Sequence, residues 1–472
     1  MRSSARFSYI ALALVTATVV AVLALPAPGP VGAGELPVSP PNVVLVVMDD
    51  LRHEALTPQT MPTVHSEIYD KGIGFSNAFV VNPLCCPSRA TILTGKYSHT
   101  TGVYSNGGAF GGFSAFDDSS TIATWLHDAG YRTALIGKYL NQYEGPYVPP
   151  GWDRWLAFQR ADYFNYSLVD DGVLTAFGDA EQDYATDVLA AQAASFIRGT
   201  DAEQSLFLTF TPYAPHGPAT PAPRHATAFS DLTDWRPPSY NEDRIADKPA
   251  YIRARSRLRG ATRAAMDEFR RNQHRSLLAA DEGVDRILTA LEDTGRLSNT
   301  LVVFLSDNGI LWGEHRWDRK VVPYEESIRV PMAIRYDPIT AADTVQDRFV
   351  LNVDLAPTIA EVAGTAAPGV EGSSLVPLLA GTDPTWREEF LIEHAAFGIV
   401  NKEVPAYCAI RDPRYLYSVY ETGELELYDL HRDPSELRNV VNRSRYADEV
   451  DSLHQRLVQL CDPVPPGFAF PA

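Results

Sequence analysis

Residues 42–48, Asn-Val-Val-Leu-Val-Val-Met, run apolar without alternation and are rich in β-branched side chains. That pattern predicts a strand buried on both faces, the habit of parallel sheets. It ends at Asp49-Asp50. The same unit recurs along the chain. A helical pattern over 121–129 leads to an apolar run at 131–136 and then Gly137-Lys138; another over 184–197 leads to 205–210 and a Pro-rich turn, 212–218. A long amphipathic pattern over 270–291 leads to 300–305 and then Ser306-Asp307-Asn308-Gly309. This alternation predicts an α/β fold. Open α/β sheets bind ligands beyond the carboxyl ends of their strands, so polar residues delivered at several such ends predict one active site.

Between Gly217 and Arg271 the composition shifts to Pro, Arg and Asp. This predicts a long surface excursion, its arginines mostly solvated, or a wall of a substrate pocket. After about Glu361, strand-like runs at 415–420 and 424–430 predict a small antiparallel sheet, and 446–460 a terminal helix.

At the other end, Arg2 and Arg6 precede an apolar run from Phe7 to about Leu25, and small residues follow to Gly34. This describes an export signal, residues 1–33, cleaved near Ala33 and followed by a flexible leader, 34–41. The apolar run exceeds the usual signal core, so an uncleaved membrane anchor is the alternative. The protein is expected to be exported, secreted or in the cell envelope, without stable membrane association once cleaved. Hydrophobic residues at 45% and charged residues at 21% exclude a disordered, collagen-like or coiled-coil chain. Forty basic against 59 acidic residues leave a net charge of −19, which argues against nucleic acid as a partner but leaves room for a local basic pocket. Cys408 and Cys461 either pair or stand as separate buried thiols. Cys85 and Cys86 are adjacent, and neighbours rarely bridge each other.

Asp49, Asp50, Asp307 and Asn308 offer oxygen ligands at two strand ends. Such ligands suit Ca2+ or Mg2+ rather than zinc, although Asp-Asn-Gly alone also describes a turn.

Cys85-Cys86-Pro87-Ser88-Arg89, continuing to Leu93-Thr94-Gly95, resembles the signature of the formylglycine-dependent sulfatases. The resemblance extends through Pro41 to Leu51, Gly137-Lys138, the Pro215-His216 element, Gly313-Glu314-His315, the block from Lys320 to Pro331, and 426–436. It implies an alkaline-phosphatase-like fold: a large, mixed, mostly parallel sheet flanked by helices in a catalytic domain, 42–365, and a C-terminal subdomain, 366–472, with a small antiparallel sheet and a helix. It implies that Cys85 is oxidised to formylglycine by a formylglycine-generating enzyme, and that residue 85 joins Asp49, Asp50, Asp307 and Asn308 around a divalent metal, with calcium preferred and magnesium the alternative. Cys86 takes the free position of the signature as a small buried side chain. Arg89, Lys138 and Lys320 offset the sulfate charge, and His216 or Lys320 protonates the departing alcohol. The formylglycine hydrate attacks sulfur, and its second hydroxyl allows sulfate to be eliminated, which a serine or cysteine does not offer. His315 is at most an outer group, and His99 has no assigned role.

Many arylsulfatase-type members carry a histidine two residues after the first lysine; Leu140 stands there, which leaves the base for elimination open. Gly-Lys-Tyr-Leu-Asn instead resembles the N-acetylglucosamine-6-sulfatase branch and the heparan 6-O-endosulfatases, and on that likeness Asn141 contacts substrate, a turn residue being the alternative. The substrate implied is a sulfated sugar such as N-acetylglucosamine-6-sulfate. A phosphodiester or phosphonate hydrolase on the same fold, and a catalytically silent glycan-binding protein, are the competing readings.

Overall fold

The computed structural model describes residues 40–396 and 403–471. The export signal and all but the last two residues of the leader lie outside the described residues. Among the described residues, no helix is long and apolar enough to cross a membrane.

A ten-stranded sheet carries the molecule. Its centre is five parallel strands in the order Thr300–Ser306, Asn42–Met48, Leu206–Thr211, Arg132–Gly137, Arg154–Arg160. Met332–Arg335 runs antiparallel beside Thr300–Ser306, and the hairpin Ser167–Asp170 with Val173–Ala176 closes the other flank. The sheet is therefore mixed and mostly parallel, as expected. The continuous apolar run at 42–48 has a simple cause. Val43, Leu45 and Val47 pack into one core with the helices Ile122–Asp128 and Leu355–Ala363. Val44, Val46 and Met48 pack into a second core with Ala185–Arg198 and Gly260–Asp293. Each face of the strand buries its own alternate residues.

A four-stranded antiparallel sheet, Phe390–His394, Tyr407–Arg411, Tyr415–Tyr420 and Leu425–Asp429, follows with the helix Ala447–Leu460. Phe79 and Leu84 share a third core with Tyr407 and Leu416, joining this sheet to the segment before Cys85. Cys408 and Cys461 form a disulfide between the sheet and the end of the helix.

Two expectations change. The long helix begins at Gly260, ten residues before the expected start, so the excursion is shorter than its composition suggests. Its first residues, Gly-Ala-Thr-Arg-Ala-Ala, are polar or small, which hid the start from a periodicity reading. The arginines of the excursion are also less free than expected: Arg224 pairs with Asp187 and Glu282, Arg236 with Asp267, and Arg255 with Asp318.

Candidate active site

Cys85 is the first residue of the helix Cys85–Thr94, all ten residues of which are buried. Extended Leu84 precedes it, and Gly95, at φ 67, ends it in the left-handed conformation that glycine accepts without strain. The thiol thus stands at a helix N-terminus, where unpaired N–H groups favour negative charge. Cys86 N–H donates to Asn106 Oδ1 at 2.9 Å, and Asn352 Nδ2 donates to Ser88 Oγ at 2.9 Å. Arg89 lies one turn on, on the same helix face as Cys85. Its Nε donates to Asp307 Oδ2 at 2.7 Å and its Nη1 to the Lys138 carbonyl at 2.8 Å. Its Nη2 is buried without a partner.

The acids arrive from two adjacent parallel strands. Asp49 and Asp50 follow Asn42–Met48, while Asp307 and Asn308 follow Thr300–Ser306. Asp50 has φ 65, and its N–H donates to Asp307 Oδ1 at 3.1 Å. A non-glycine residue held in this region is a strained conformation of the kind that gathers at functional sites. Cys85 Sγ lies 3.6 Å from Asp49 Oδ1 and 3.9 Å from Asp50 Oδ1.

Two lysines close over these groups. Lys138 Nζ lies 2.5 Å from Asp49 Oδ2. Lys138 follows Gly137, where a Cβ would meet the Thr211 carbonyl at 2.0 Å, so only glycine lets the ends of these neighbouring strands approach. Lys320 Nζ pairs with Asp50 and lies 2.7 Å from Cys85 Sγ. The next residue, Val321, has φ 81, a conformation that β-branched residues rarely adopt. Its N–H donates to Pro83 O at 3.1 Å and its carbonyl accepts from Tyr407 Oη at 2.6 Å. These bonds hold the lysine against the cysteine. His216 Nε2 lies 3.7 Å from Asp50 Oδ2, and its Nδ1 faces Gly217 O at 2.7 Å. At 29% side-chain exposure, His216 is the most open member of the cluster.

Electrostatics follow from the pairing. Burial alone would raise Asp49, but Lys138, with His216 and Arg89, holds it below the usual carboxylate range. Burial likewise opposes the charge on Asp50, and Lys320 and His216 outweigh it. Burial pushes the Cys85 thiol up to about 11 despite both lysines, so the unmodified side chain is a neutral thiol at pH 7 rather than an activated thiolate.

Do these residues fit a cation? Asp49, Asp50, Cys85 and His216 bring their ligand atoms within 4.8 Å of one another. Asn308 Nδ2 donates to Asp50 Oδ1, whereas its Oδ1 is buried with no partner. Three buried carboxylates beside an orphaned amide oxygen form a donor set that fits a hard divalent ion.

The structure thus brings together Asp49, Asp50, Cys85, Arg89, Lys138, His216, Asp307, Asn308 and Lys320. Asn141 sits in the turn after Lys138, its carbonyl accepting from Phe113 N–H and its Oδ1 buried without a partner. Cys86 is buried, as expected. His99 instead lies between Glu371 and Glu393, and His315 bonds Glu242. Sequence reasoning missed Asn106 and Asn352, which steady the cysteine helix. It also missed Tyr213, whose ring lies 4.6 Å from that of His216 and 5.9 Å from Lys138 Nζ. Tyr213 was within reach of a sequence reading, since it follows the strand Leu206–Thr211 by two positions.

Parallel strand ends thus converge on a helix-borne cysteine, two lysines and a set of acids. Residues 41–365 match the Sulfatase family, and residues 313–462 match a second family described as "N-sulphoglucosamine sulphohydrolase, C-terminal". The chain belongs to the sulfatase family. It is 34% identical over 394 residues to a putative extracellular sulfatase Sulf-1 homolog of Caenorhabditis elegans, covering 79% of this chain and 54% of that one. It therefore spans about half the length of that relative. It is 30% identical over 468 residues to N-acetylglucosamine-6-sulfatase of Capra hircus, covering 89% of this chain and 83% of the relative. Among solved structures, one in complex with its substrate D-glucosamine-2-N,6-O-disulfate superposes with a TM-score of 0.82 at 26% identity, covering 91% of this chain and 99% of that one.

Proposed function

We propose that the chain is an exported sulfuric ester hydrolase acting on sulfated amino sugars of the N-acetylglucosamine-6-sulfate kind. The observation that carries this reading is the position of Cys85, at a helix N-terminus between Asp49, Asp50 and Lys320. The likeness to N-acetylglucosamine-6-sulfatases and to the disulfate-bound structure supports the substrate class.

In this reading Asp49, Asp50, Asp307 and Asn308, with residue 85, hold a divalent cation, calcium before magnesium. The cation supplies positive charge and Lewis acidity toward the sulfate. A formylglycine-generating enzyme is the maturation partner, and formylglycine at 85 supplies a hydrated aldehyde as nucleophile. The chain's own residues do the rest. A sulfate monoester repels nucleophiles, and Arg89, Lys138 and Lys320 offset its charge from fixed positions, with no reorganisation during reaction. Arg89 Nη2, buried and unpaired, is the donor left for a sulfate oxygen. His216 donates its Nδ1–H to the Gly217 carbonyl, which leaves Nε2 on the Asp50 side. A proton carried at Nε2 passes to the leaving alcohol oxygen. Asn141 contacts the sugar. Catalysis belongs to residues 42–365, and residues 366–472 complete the molecule.

The test is turnover of N-acetylglucosamine-6-sulfate beside the matched 6-phosphate, with the wild type and Cys85→Ala. Sulfate release by the wild type alone is expected. Undiminished release by Cys85→Ala, or preference for the phosphate, overturns the proposal.

A further inference from the structure

Three side chains from separate parts of the chain converge away from the cysteine. His315 follows the Gly-Glu pair of the loop after Thr300–Ser306, Glu326 belongs to the short helix Glu325–Ile328, and Glu436 lies beyond the strand Leu425–Asp429. One nitrogen or oxygen atom from each lies within 4.8 Å of the others. His315 and Glu436 are essentially inaccessible, at 0% and 1% exposure.

The hydrogen bonding of the three has a common form: one polar atom of each side chain is held and the other is free. His315 Nδ1 lies 2.8 Å from Glu242 Oε2, Glu436 Oε2 accepts from Glu325 N–H at 3.2 Å, and Glu326 Oε1 accepts from Ser239 Oγ at 3.4 Å. His315 Nε2, Glu326 Oε2 and Glu436 Oε1 are buried without any partner. Buried polar atoms are rarely left unpaired, because each costs about 1–3 kcal/mol. One ligand atom from each residue lies within 4.8 Å of the others, so a single occupant of the cluster would satisfy these groups together.

Glu242 indicates which occupant. A carboxylate that takes the Nδ1 proton fixes the imidazole with its Nε2 lone pair free, the arrangement in which histidines bind metals. One imidazole nitrogen with two carboxylate oxygens suits a first-row divalent ion better than calcium. At metal–ligand distances of about 2.0–2.2 Å, inward shifts of at most about 0.8 Å would bring all three onto one ion. Access exists: a groove of about 360 Å³, lined by Arg52, Ser239, Glu325, Glu326, His431 and Pro434, reaches Glu326 from the surface.

We propose that His315, Glu326 and Glu436 form a second metal site, for Zn2+ or a similar first-row divalent cation, oriented by Glu242. Its role is structural. It pins the loop that carries Lys320 and the helix after it to the C-terminal segment bearing Glu436. It stands independently of the sulfate chemistry, since none of its ligands belongs to the cluster around Cys85.

The test uses the full chain, saturated with Ca2+ so that the acids near Cys85 are occupied, and titrated calorimetrically with Zn2+. One saturable Zn2+ per chain is expected, with a rise in Tm on binding. Glu436→Gln and His315→Gln are expected to abolish the binding, and Glu242→Gln to weaken it roughly 10–100-fold. Circular dichroism confirms that each variant is folded; should one fail, the others and the wild-type stoichiometry still decide. No saturable Zn2+ on the calcium-loaded wild type would overturn the proposal and leave a carboxyl pair sharing a proton beside His315. Undiminished binding in both ligand variants would overturn it equally.

Discussion

Lys320 Nζ lies 2.7 Å from Cys85 Sγ although 235 positions separate the two residues. The contact depends on the strained backbone at Val321, with φ 81, tied to Pro83 two residues before the cysteine. The loop after Thr300–Ser306 is therefore fastened to the segment before the cysteine helix, with Lys320 against Cys85. If Lys320 offsets charge that develops during reaction, Lys320→Ala should lower kcat by about 10²–10³, with a smaller effect on KM. Steady-state kinetics on the sulfated sugar measure this. A kcat within twofold of wild type would remove Lys320 from the site.

If the acids around Cys85 hold a hard cation, removing it should weaken both activity and stability. Asp49, Asp50 and Asp307 are buried together, and Asn308 Oδ1 has no other partner. A calcium-selective chelator should abolish turnover and lower Tm, and added Ca2+ should restore both. An ion at 100 times its Kd stabilises by about 2.7 kcal/mol, a shift that calorimetry resolves. Full activity in chelator contradicts the assignment of these acids.

His99 provides a pH test away from the cation. Burial alone would lower its pKa, but hydrogen bonds to Glu371 and Glu393 outweigh it and raise the pKa to about 10. A histidine raised above its unfolded value stabilises the fold fully below about pH 6.5 and loses that contribution as pH rises through about 10. His99→Gln should therefore cost most stability near pH 6, and the gap to wild type should narrow by pH 10. Denaturant midpoints at the two pH values measure it. A gap independent of pH would show that the imidazolium contributes nothing.

The Cys408–Cys461 bridge closes a loop of 53 positions between the small sheet and the last helix. Replacing both cysteines by serine should cost about 2–4 kcal/mol, read as a fall in the denaturant midpoint. An unchanged midpoint would mean that packing of Leu453 and Leu457 holds the helix without it.

Much of this was legible in the sequence because central parallel strands carry a strong signal. The run at 42–48 has to be apolar on both faces, and the polar residues after it are then conspicuous. The strand Asn42–Met48 appears with the bounds its pattern predicts. The edge hairpin Ser167–Asp170 with Val173–Ala176 was not legible: Val173 and Leu174 are exposed, so no burial pattern marks it. The strands Phe390–His394 and Tyr407–Arg411 were missed as well, since their core is completed by residues such as Phe79, more than 300 positions away. At the site, the charged residues could be read from their motifs. Their pairing could not. Lys138 with Asp49, and Lys320 with Asp50, join residues 89 and 270 positions apart, which only the fold brings together. Asn106 acts through its bond to Cys86 N–H and Asn352 through bonds to Val81 and Ser88, and neither left a pattern to read.

The central claim is that residue 85 works as an aldehyde rather than as the buried neutral thiol of the encoded chain. The mass of the peptide containing Cys85, taken from protein purified from its natural host, tests this most directly. The account predicts that –CH2SH is replaced by –CHO, or by its hydrate, in protein that releases sulfate. An unmodified thiol at position 85 in protein that turns over the sulfated sugar would contradict it.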